Sequence, residues 1–425
     1  MSHGGESAHH AMPRDQFEAL ARGGGGRDAI RQLVAAQHSK HTILVRAVAE
    51  MARRGDRPDD VLAVAGLELL ARVQRQDPAA AGQVIRYPSV GAWALHTIRG
   101  DQTVPGAVPS GLAAVAAAAA IKAGVDAEIE VPVRDGAVLL PSLGVADATG
   151  STAMVRTGNA EIRSDGLRVW ARPGADGWQD LRHTLAGGLD VVIDDLDPFR
   201  MPATDGQPTE RLTAAQAARF AVSLREAWDV LSPDSAAEIA AIVRVVVPYQ
   251  GPESGHVSTS SPQSFGAVAM SRQPDAYTCA ETLVHETQHL KLCALLDLAP
   301  LTLPDDGQRF YAPWRSDPRP ASGLLQGAYA FLGVSGFWRG QRRAAPELQT
   351  RQRAQIEFAR WRDGAALVAN TLLGSGRLTE AGHVFVREMA TVLDGWRREP
   401  VPHDALALAR SKADRHLAEW QADNA

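Results

Sequence analysis

The chain has few cysteines, few lysines and no long apolar run. Its two cysteines, Cys279 and Cys293, are too few for a disulfide framework and favour a reducing compartment. The longest apolar segment, residues 111–125, is too short and too rich in alanine to span a bilayer. The first residues lack the basic and apolar regions of a secretion signal. We therefore expect a cytoplasmic protein.

The chain also lacks a large net charge of either sign. The formal net charge is −5 over 425 residues, which gives no overall reason to expect nucleic-acid binding. Arginine outnumbers lysine 40 to 4, a bias that we interpret as codon usage rather than function. With 45% hydrophobic residues, the chain is long enough to form two or three folded domains.

Hydrophobic periodicity divides the chain into three regions. Residues 1–105 are predicted to be an N-terminal helical region, because residues 28–82 carry 3.6-residue apolar spacing. Residues 106–245 contain short apolar runs separated by Gly, Asp and Pro, which predict antiparallel strands with a hairpin turn at RSDGLR. Residues 246–425 alternate helical patterns with turns and include the motif described below. The expected fold class is α+β, predominantly helical, with a β-rich middle region.

Local patterns near the last region boundary are more specific. Residues 209–231 are amphipathic and predict a helix that Thr209 or Thr213 can cap. Residues 240–250 predict a strand, and residues 255–271 predict further strand structure that leads into the next helix.

A His-Glu-x-x-His motif occupies residues 285–289 of the helical stretch AETLVHETQHLKLCALLDL. On an α-helix His285 and His289 lie one turn apart on one face, so both imidazoles can bind one ion. Glu286 is rotated by about 100° from His285 and can reach a bound water or a substrate. Flanking apolar residues bury this helix, where two histidines without a partner would be costly. The pattern predicts a metal site.

The motif does not specify a third ligand. A metzincin requires a histidine six residues after the second, where this chain has Leu295. A gluzincin requires a glutamate on a following helix, but the next helical pattern contains no acid and offers Gln326 and Tyr329. Cys293 cannot join His285 on one ion, because positions i and i+8 lie about 12 Å apart along a helix.

Three stretches resemble a known family. They are LVHETQHLKLCALLDLAPL, the block APWRSDPRP (312–320) and QLVAAQHSKHTILVRAVA near the N-terminus. These stretches resemble the HEXXH-motif domain family of peptide-modification proteins, most strongly over residues 255–340. Members of that family occur alone or fused to radical SAM maturases, in gene clusters for ribosomally synthesised, modified peptides. They are understood to be iron(II) and 2-oxoglutarate dependent hydroxylases of peptide β-carbons.

The resemblance implies a role for each matching residue. His285 and His289 are the implied Fe(II) ligands, and Gln326 is the implied third ligand where family members often have a histidine. Arg315 and Arg319 are candidates to bind the distal carboxylate of 2-oxoglutarate, because an arginine fork suits a carboxylate; the alternative is that they form structural ion pairs. The implied partners are a precursor peptide substrate and a radical SAM maturase, without nucleic acid or membrane.

Three functions stay open. In a hydroxylase, Glu286 orients a histidine, a water or the substrate. In a gluzincin-like zinc metallopeptidase, Glu286 is the general base. The third function is a peptide-binding subunit without catalysis. His256 is either a site residue or a surface histidine, and residues 339–362 are either a solvated helix face or a docking surface for an acidic peptide.

Overall fold

The computed structural model describes residues 10–55, 57, 59–101, 103–201, 208–252 and 255–424. These residues form thirteen helices and twelve strands, 55% helix and 14% strand, which confirms the predicted α+β, predominantly helical fold. None of the described helices is long and apolar enough to cross a bilayer. Residues 1–9, where the sequence predicts no secretion signal, lie outside the described part.

Six helices precede the first strand. They are α1 (Arg14–Ala21), α2 (Gly26–Arg54), α3 (Asp60–Gln76), α4 (Pro78–Ile85), α5 (Pro88–Arg99) and α6 (Gly111–Ala123). The alanine-rich α6 is buried along most of its length. It packs closely on α3, because a Cβ on Gly66 of α3 would lie 2.7 Å from the backbone nitrogen of Ala113. Small side chains on both helices therefore allow this close approach.

Nine short strands follow. They are β1 (Glu128–Pro132), β2 (Ala137–Leu140), β3 (Gly144–Asp147), β4 (Thr152–Arg156), β5 (Glu161–Ser164), β6 (Leu167–Trp170), β7 (Trp178–Asp180), β8 (Arg182–Ala186) and β9 (Leu189–Ile193). Seven of them form two antiparallel sheets, ordered β1-β4-β5-β6 and β2-β3-β7, as the sequence predicts. The predicted hairpin joins β5 to β6, and Gly166 at its turn has φ +77°, a left-handed conformation that glycine adopts without strain.

A mixed five-stranded sheet supports the motif helix. Its order is β11-β12-β10-β9-β8, where β10 is Val245–Pro248, β11 is Ser258–Ser260 and β12 is Ala267–Met270. The central strand β10 is parallel to both neighbours and buried at every residue, as expected for a strand covered on both faces. Val246 enters one hydrophobic cluster, whereas Val245 and Val247 enter another. The sheet therefore lies between two cores.

Seven further helices complete the described part of the fold. They are α7 (Ala214–Asp229), α8 (Pro233–Ile242), α9 (Ala276–Leu296), α10 (Ala321–Ala344), α11 (Leu348–Gly374), α12 (Glu380–Arg397) and α13 (His403–Asp423). Of the two predicted caps, Thr213 begins α7: its side chain accepts from the N–H of Gln216, whose side chain accepts from the N–H of Thr213. Both hydrophobic clusters contain residues from all three predicted regions. The region boundaries at 105 and 245 stay predictions.

Candidate metal centre

Helix α9 carries the motif and is surrounded by protein. The carboxylate of Asp275 accepts a hydrogen bond from the N–H of Thr278 at 2.9 Å and so fixes where the helix begins. Buried residues occur on all sides of α9, because α7, α8, α10 and strand β11 pack around it. A helix that is apolar on all sides is a core helix. The polar residues of the motif are consequently held inside the molecule.

His285 and His289 face each other on α9. Their Nε2 atoms lie 3.1 Å apart, and the ring planes are inclined by 75°. Two imidazole nitrogens that bind one ion at about 2.0–2.1 Å lie about 2.9 Å apart at a right angle and about 3.3 Å apart at a tetrahedral angle. The observed separation fits either geometry. The same separation is also the donor–acceptor distance of a hydrogen bond between two neutral imidazole rings.

Burial lowers the pKa of His285 well below its ordinary value, and the neighbouring His289 lowers it further. The neutral ring is favoured because a buried imidazolium would lose its hydration. A neutral imidazole offers one nitrogen lone pair, which is the form that binds a metal ion.

Gln326 of α10 contacts His289 on the other side of its ring. Its Oε1 lies 3.0 Å from Nδ1 of His289, and its Nε2 donates to Sγ of Cys293 at 3.5 Å. With Nδ1–H donating to this oxygen, the lone pair on Nε2 of His289 faces His285. Gln326 therefore orients His289, as amides and carboxylates do for metal-binding histidines. Its role as third ligand stays a prediction.

Tyr329, the other polar residue that the sequence offers on α10, is engaged elsewhere. Its side chain is buried, and its hydroxyl donates to the backbone oxygen of Leu20 at 2.8 Å. Among the described residues, no group of three or more His, Cys, Asp and Glu side chains is placed to hold a metal ion. No described carboxylate therefore joins the two histidines in such a group, and their role as ligands stays a prediction.

Glu286 is anchored to strand β11. Its two carboxylate oxygens accept hydrogen bonds from the hydroxyls of Ser258 and Ser260, each at 2.7 Å, and the residue is 2% exposed. These serines are two positions apart and so project from the same face of the strand. A general base must present an oxygen to a metal-bound water. Both oxygens of Glu286 instead join the sheet to α9.

A cavity of about 350 Å³ lies beside His285. Its walls come from β11 and the segment before it, and from α9, α10 and α11. The lining side chains include His256, Glu281, Phe331, Arg353, Glu357 and Trp361. The volume is at the lower end of the range for small-molecule sites, about 300–1,000 Å³. The cavity is therefore large enough for a small metabolite or for one side chain of a peptide.

Glu281 lies one helical turn before His285 and faces the same cavity. Burial raises the pKa of Glu281 to about 7; the indole of Trp338 and the charge of Arg353 oppose this rise, whereas Glu357 adds to it. At neutral pH the carboxyl group is thus divided between its protonated and ionised forms.

Arg353 brings a fixed cation to this cavity. Its guanidinium donates to the carboxylate of Asp275 at 3.0 Å and to the hydroxyl of Thr278 at 2.8 Å, and it lies 4.8 Å over the ring of Trp338. These contacts hold the planar fork in place before any ligand arrives. His256 is an exposed residue at the mouth of the cavity; partial burial lowers its pKa and the charge of Arg353 lowers it further, while Asp275 opposes the shift.

Arg315 and Arg319 both bind Asp317, each at 2.9 Å. Their side chains are 46% and 35% exposed, and neither is among the described residues that line the cavity beside His285. These contacts match the ion-pair alternative that the sequence leaves open. A role in cosubstrate binding stays a prediction for both arginines.

The block 312–320 nevertheless reaches the centre through an aromatic cluster. Trp314 stacks on Phe331 with ring centroids 4.7 Å apart, and the ring centroid of Trp361 lies 4.2 Å from that of Phe331. Phe331 in turn packs edge-on against His285 at 5.1 Å. The block thus helps to enclose the histidine pair in apolar surroundings.

The sequence did not identify three cavity residues, Glu281, Arg353 and Glu357. Glu281 could have been found, because its spacing of four residues from His285 places it on the same helix face. Arg353 and Glu357 lie in the arginine-rich stretch 339–362, which by itself indicates only a charged helix. Their position depends on how α11 packs beside α9.

Comparisons of the chain with protein-family models and with curated proteins found no match. The family resemblance therefore depends on the quoted motifs.

Proposed function

We propose that the protein is a cytoplasmic iron(II) and 2-oxoglutarate dependent hydroxylase that modifies a side-chain β-carbon of a ribosomally synthesised precursor peptide. The observation that carries this proposal is the 3.1 Å separation of the Nε2 atoms of His285 and His289. No described carboxylate joins them. A centre with few protein ligands leaves coordination positions for a bidentate keto acid and for dioxygen.

Iron(II), when bound with 2-oxoglutarate and dioxygen, supplies the oxidant for hydroxylation of an unactivated carbon. The chain's own residues prepare the site for that ion. His285 and His289 would hold it through Nε2, and the contact of Gln326 with Nδ1 of His289 would keep that nitrogen's proton directed away from it. Glu286 ties α9 to β11, and the ring of Phe331 excludes water from one side of His285.

A keto-acid cosubstrate needs a cation for its distal carboxylate. Arg353 lines the cavity beside His285 and is already oriented by Asp275 and Thr278. A preoriented guanidinium loses little freedom when it binds a carboxylate. Arg353 therefore joins Arg315 and Arg319 as a candidate cosubstrate ligand in this proposal.

A zinc metallopeptidase is the second candidate, because the separation of the two histidines also fits a tetrahedral ion. In that enzyme Glu286 would activate a zinc-bound water. Both carboxylate oxygens of Glu286 accept hydrogen bonds from serine hydroxyls. Glu286 is therefore a poor general base in this arrangement. The hydroxylase is therefore favoured.

A spectroscopic experiment separates the candidates. Anaerobic addition of iron(II) and 2-oxoglutarate should produce a visible charge-transfer band. The band should be absent in His285→Ala and His289→Ala, and present in His403→Ala, which removes an exposed histidine at the start of α13. A metallopeptidase would give no band and would cleave peptides with zinc, whereas a non-catalytic subunit would do neither.

Co-expression with a short peptide encoded by a neighbouring gene tests the reaction itself. An intact mass increased by one oxygen supports hydroxylation, and a shortened peptide supports proteolysis. Single Arg→Gln variants at 315, 319 and 353 identify the cosubstrate arginine, because only its loss should raise the 2-oxoglutarate concentration that half-saturates the band.

A further inference from the structure

A second cavity, of about 340 Å³, is lined by basic side chains. It lies between helices α2 and α4, the end of α6, strands β8 and β9, and the junction of α8 with β10. Among the described lining residues it shares none with the cavity beside His285. It is therefore a separate candidate binding site, and we call it the basic cleft.

The basic cleft holds three permanent cations, Arg86, Lys122 and Arg244, against one carboxylate, Asp190. In the described part of the chain, none of the three cations forms an ion pair. Arg86 donates through Nε to the backbone oxygen of Gly82 at 3.0 Å, which leaves its other N–H groups available. Two nearby arginines differ in this respect: Arg182 of β8 and Arg211, which precedes α7, both bind the buried carboxylate of Asp195.

Lys122 of the basic cleft is half-buried, whereas Arg86 and Arg244 are exposed and close enough for their charges to interact. Burial lowers the pKa of Lys122. Burial lowers the pKa of Arg86, and the charge of Arg244 lowers it further. The repulsion between Arg86 and Arg244 and the partial burial of Lys122 are unfavourable, and a bound anion offsets both costs.

His38 adds a group that can respond to an anion. Its Nδ1 is buried and has no hydrogen-bond partner among the described residues. Burial lowers the pKa of His38, and the nearby charge of Arg86 lowers it further. An anion in the basic cleft would favour the protonated ring and raise that pKa, because opposite charges stabilise each other.

We propose that the basic cleft binds a small dianion, bearing either a phosphate group or two carboxylates, between Arg86, Lys122 and Arg244. Guanidinium groups match the planar oxygen pairs of both chemistries, and the volume suits a small molecule rather than a nucleic-acid strand. The separation of this cleft from the histidine pair makes the proposal independent of the proposed hydroxylase.

Calorimetric titration of the full chain with inorganic phosphate and, separately, with succinate tests the proposal. Iron is left out, so that a dicarboxylate cannot bind an ion at the histidine pair. The double variant Arg86→Gln, Arg244→Gln should weaken binding by about tenfold or more. The matched control Arg219→Gln, Arg225→Gln, on the exposed face of α7, should change it by less than about twofold. The tighter ligand distinguishes a phosphate site from a dicarboxylate site.

The His38 ring signals in an NMR pH titration give a second measurement on the unaltered protein, and the bound anion should raise the His38 pKa. Lys122→Met, with its fold checked by circular dichroism, replaces the double variant if that variant does not fold. The proposal is overturned if neither anion binds below about 10 mM, if the cleft variants bind as the parent does, or if the control loses as much affinity.

Discussion

The Oε1 atom of Gln326 lies 3.0 Å from Nδ1 of His289, on the side of the ring away from His285. This contact assigns the two ring nitrogens to different partners. One nitrogen is held by an amide from α10, and the other is left to face His285 and any shared ion. The histidine pair is therefore oriented by the fold before an ion arrives.

Gln326→Ala removes that orienting contact and should lower metal affinity by about 10–100-fold, because the ring of His289 can then rotate. Titration with iron(II) or cobalt(II) measures the effect, and Gln326→Glu is the control that keeps an acceptor oxygen. A loss as complete as that in His289→Ala would instead identify Gln326 as a ligand.

Glu286→Ala should lower the free energy of unfolding by about 2–4 kcal/mol, because two half-buried hydroxyls lose a charged acceptor. Urea unfolding measures this loss. The double variant Ser258→Ala, Ser260→Ala should be similarly destabilised, since it leaves the carboxylate buried without those donors. Unchanged stability in Glu286→Gln combined with lost zinc-dependent peptide cleavage would contradict the anchoring role and support a general base.

Glu281 should make stability depend on pH. Its pKa is about 7 in the folded chain, above its ordinary value, so the folded state binds more protons than the unfolded state between about pH 4.5 and 7. Stability from this group is then greatest below that window and falls as the pH rises through it. In the parent, the free energy of unfolding at pH 5 and at pH 8 differs partly because of this group. Glu281→Gln should remove roughly 2–3 kcal/mol of that difference, as measured by urea unfolding. A parallel pH dependence in parent and variant would disprove this assignment.

Gly327→Ala should disturb the aromatic cluster beside His285. A Cβ at this position would lie 2.3 Å from Nε1 of Trp314, so the indole must move or the helix must shift. We expect a loss of about 1–3 kcal/mol in the free energy of unfolding and a weaker charge-transfer band. The control is Gly340→Ala on the same helix, where nothing lies within 4 Å and helix propensity should add about 0.5–1 kcal/mol. Equal effects of the two substitutions would show that Trp314 packing is unimportant.

Local signals predicted much of the secondary structure. Thr213 and Gln216 form a capping box because the four residues involved are adjacent in sequence. The strand predicted at 240–250 begins only at Val245, because Ser232 caps α8 and that helix continues to Ile242. Strands β7 and β8 were not predicted. Strand β7 is only three residues long, and β8 shows little alternation between apolar and polar residues.

The sequence alone determined that His285 and His289 share one face of a helix, because a spacing of four residues is a local property of the backbone. Only the tertiary structure decided what surrounds them. The contact between Gln326 and His289 spans 37 residues of the chain, and that between Ser258 and Glu286 spans 28. Arg353 reaches Asp275 across 78 residues. These residues come into contact only when α10, α11 and the five-stranded sheet pack around α9, and that packing depends on the whole core.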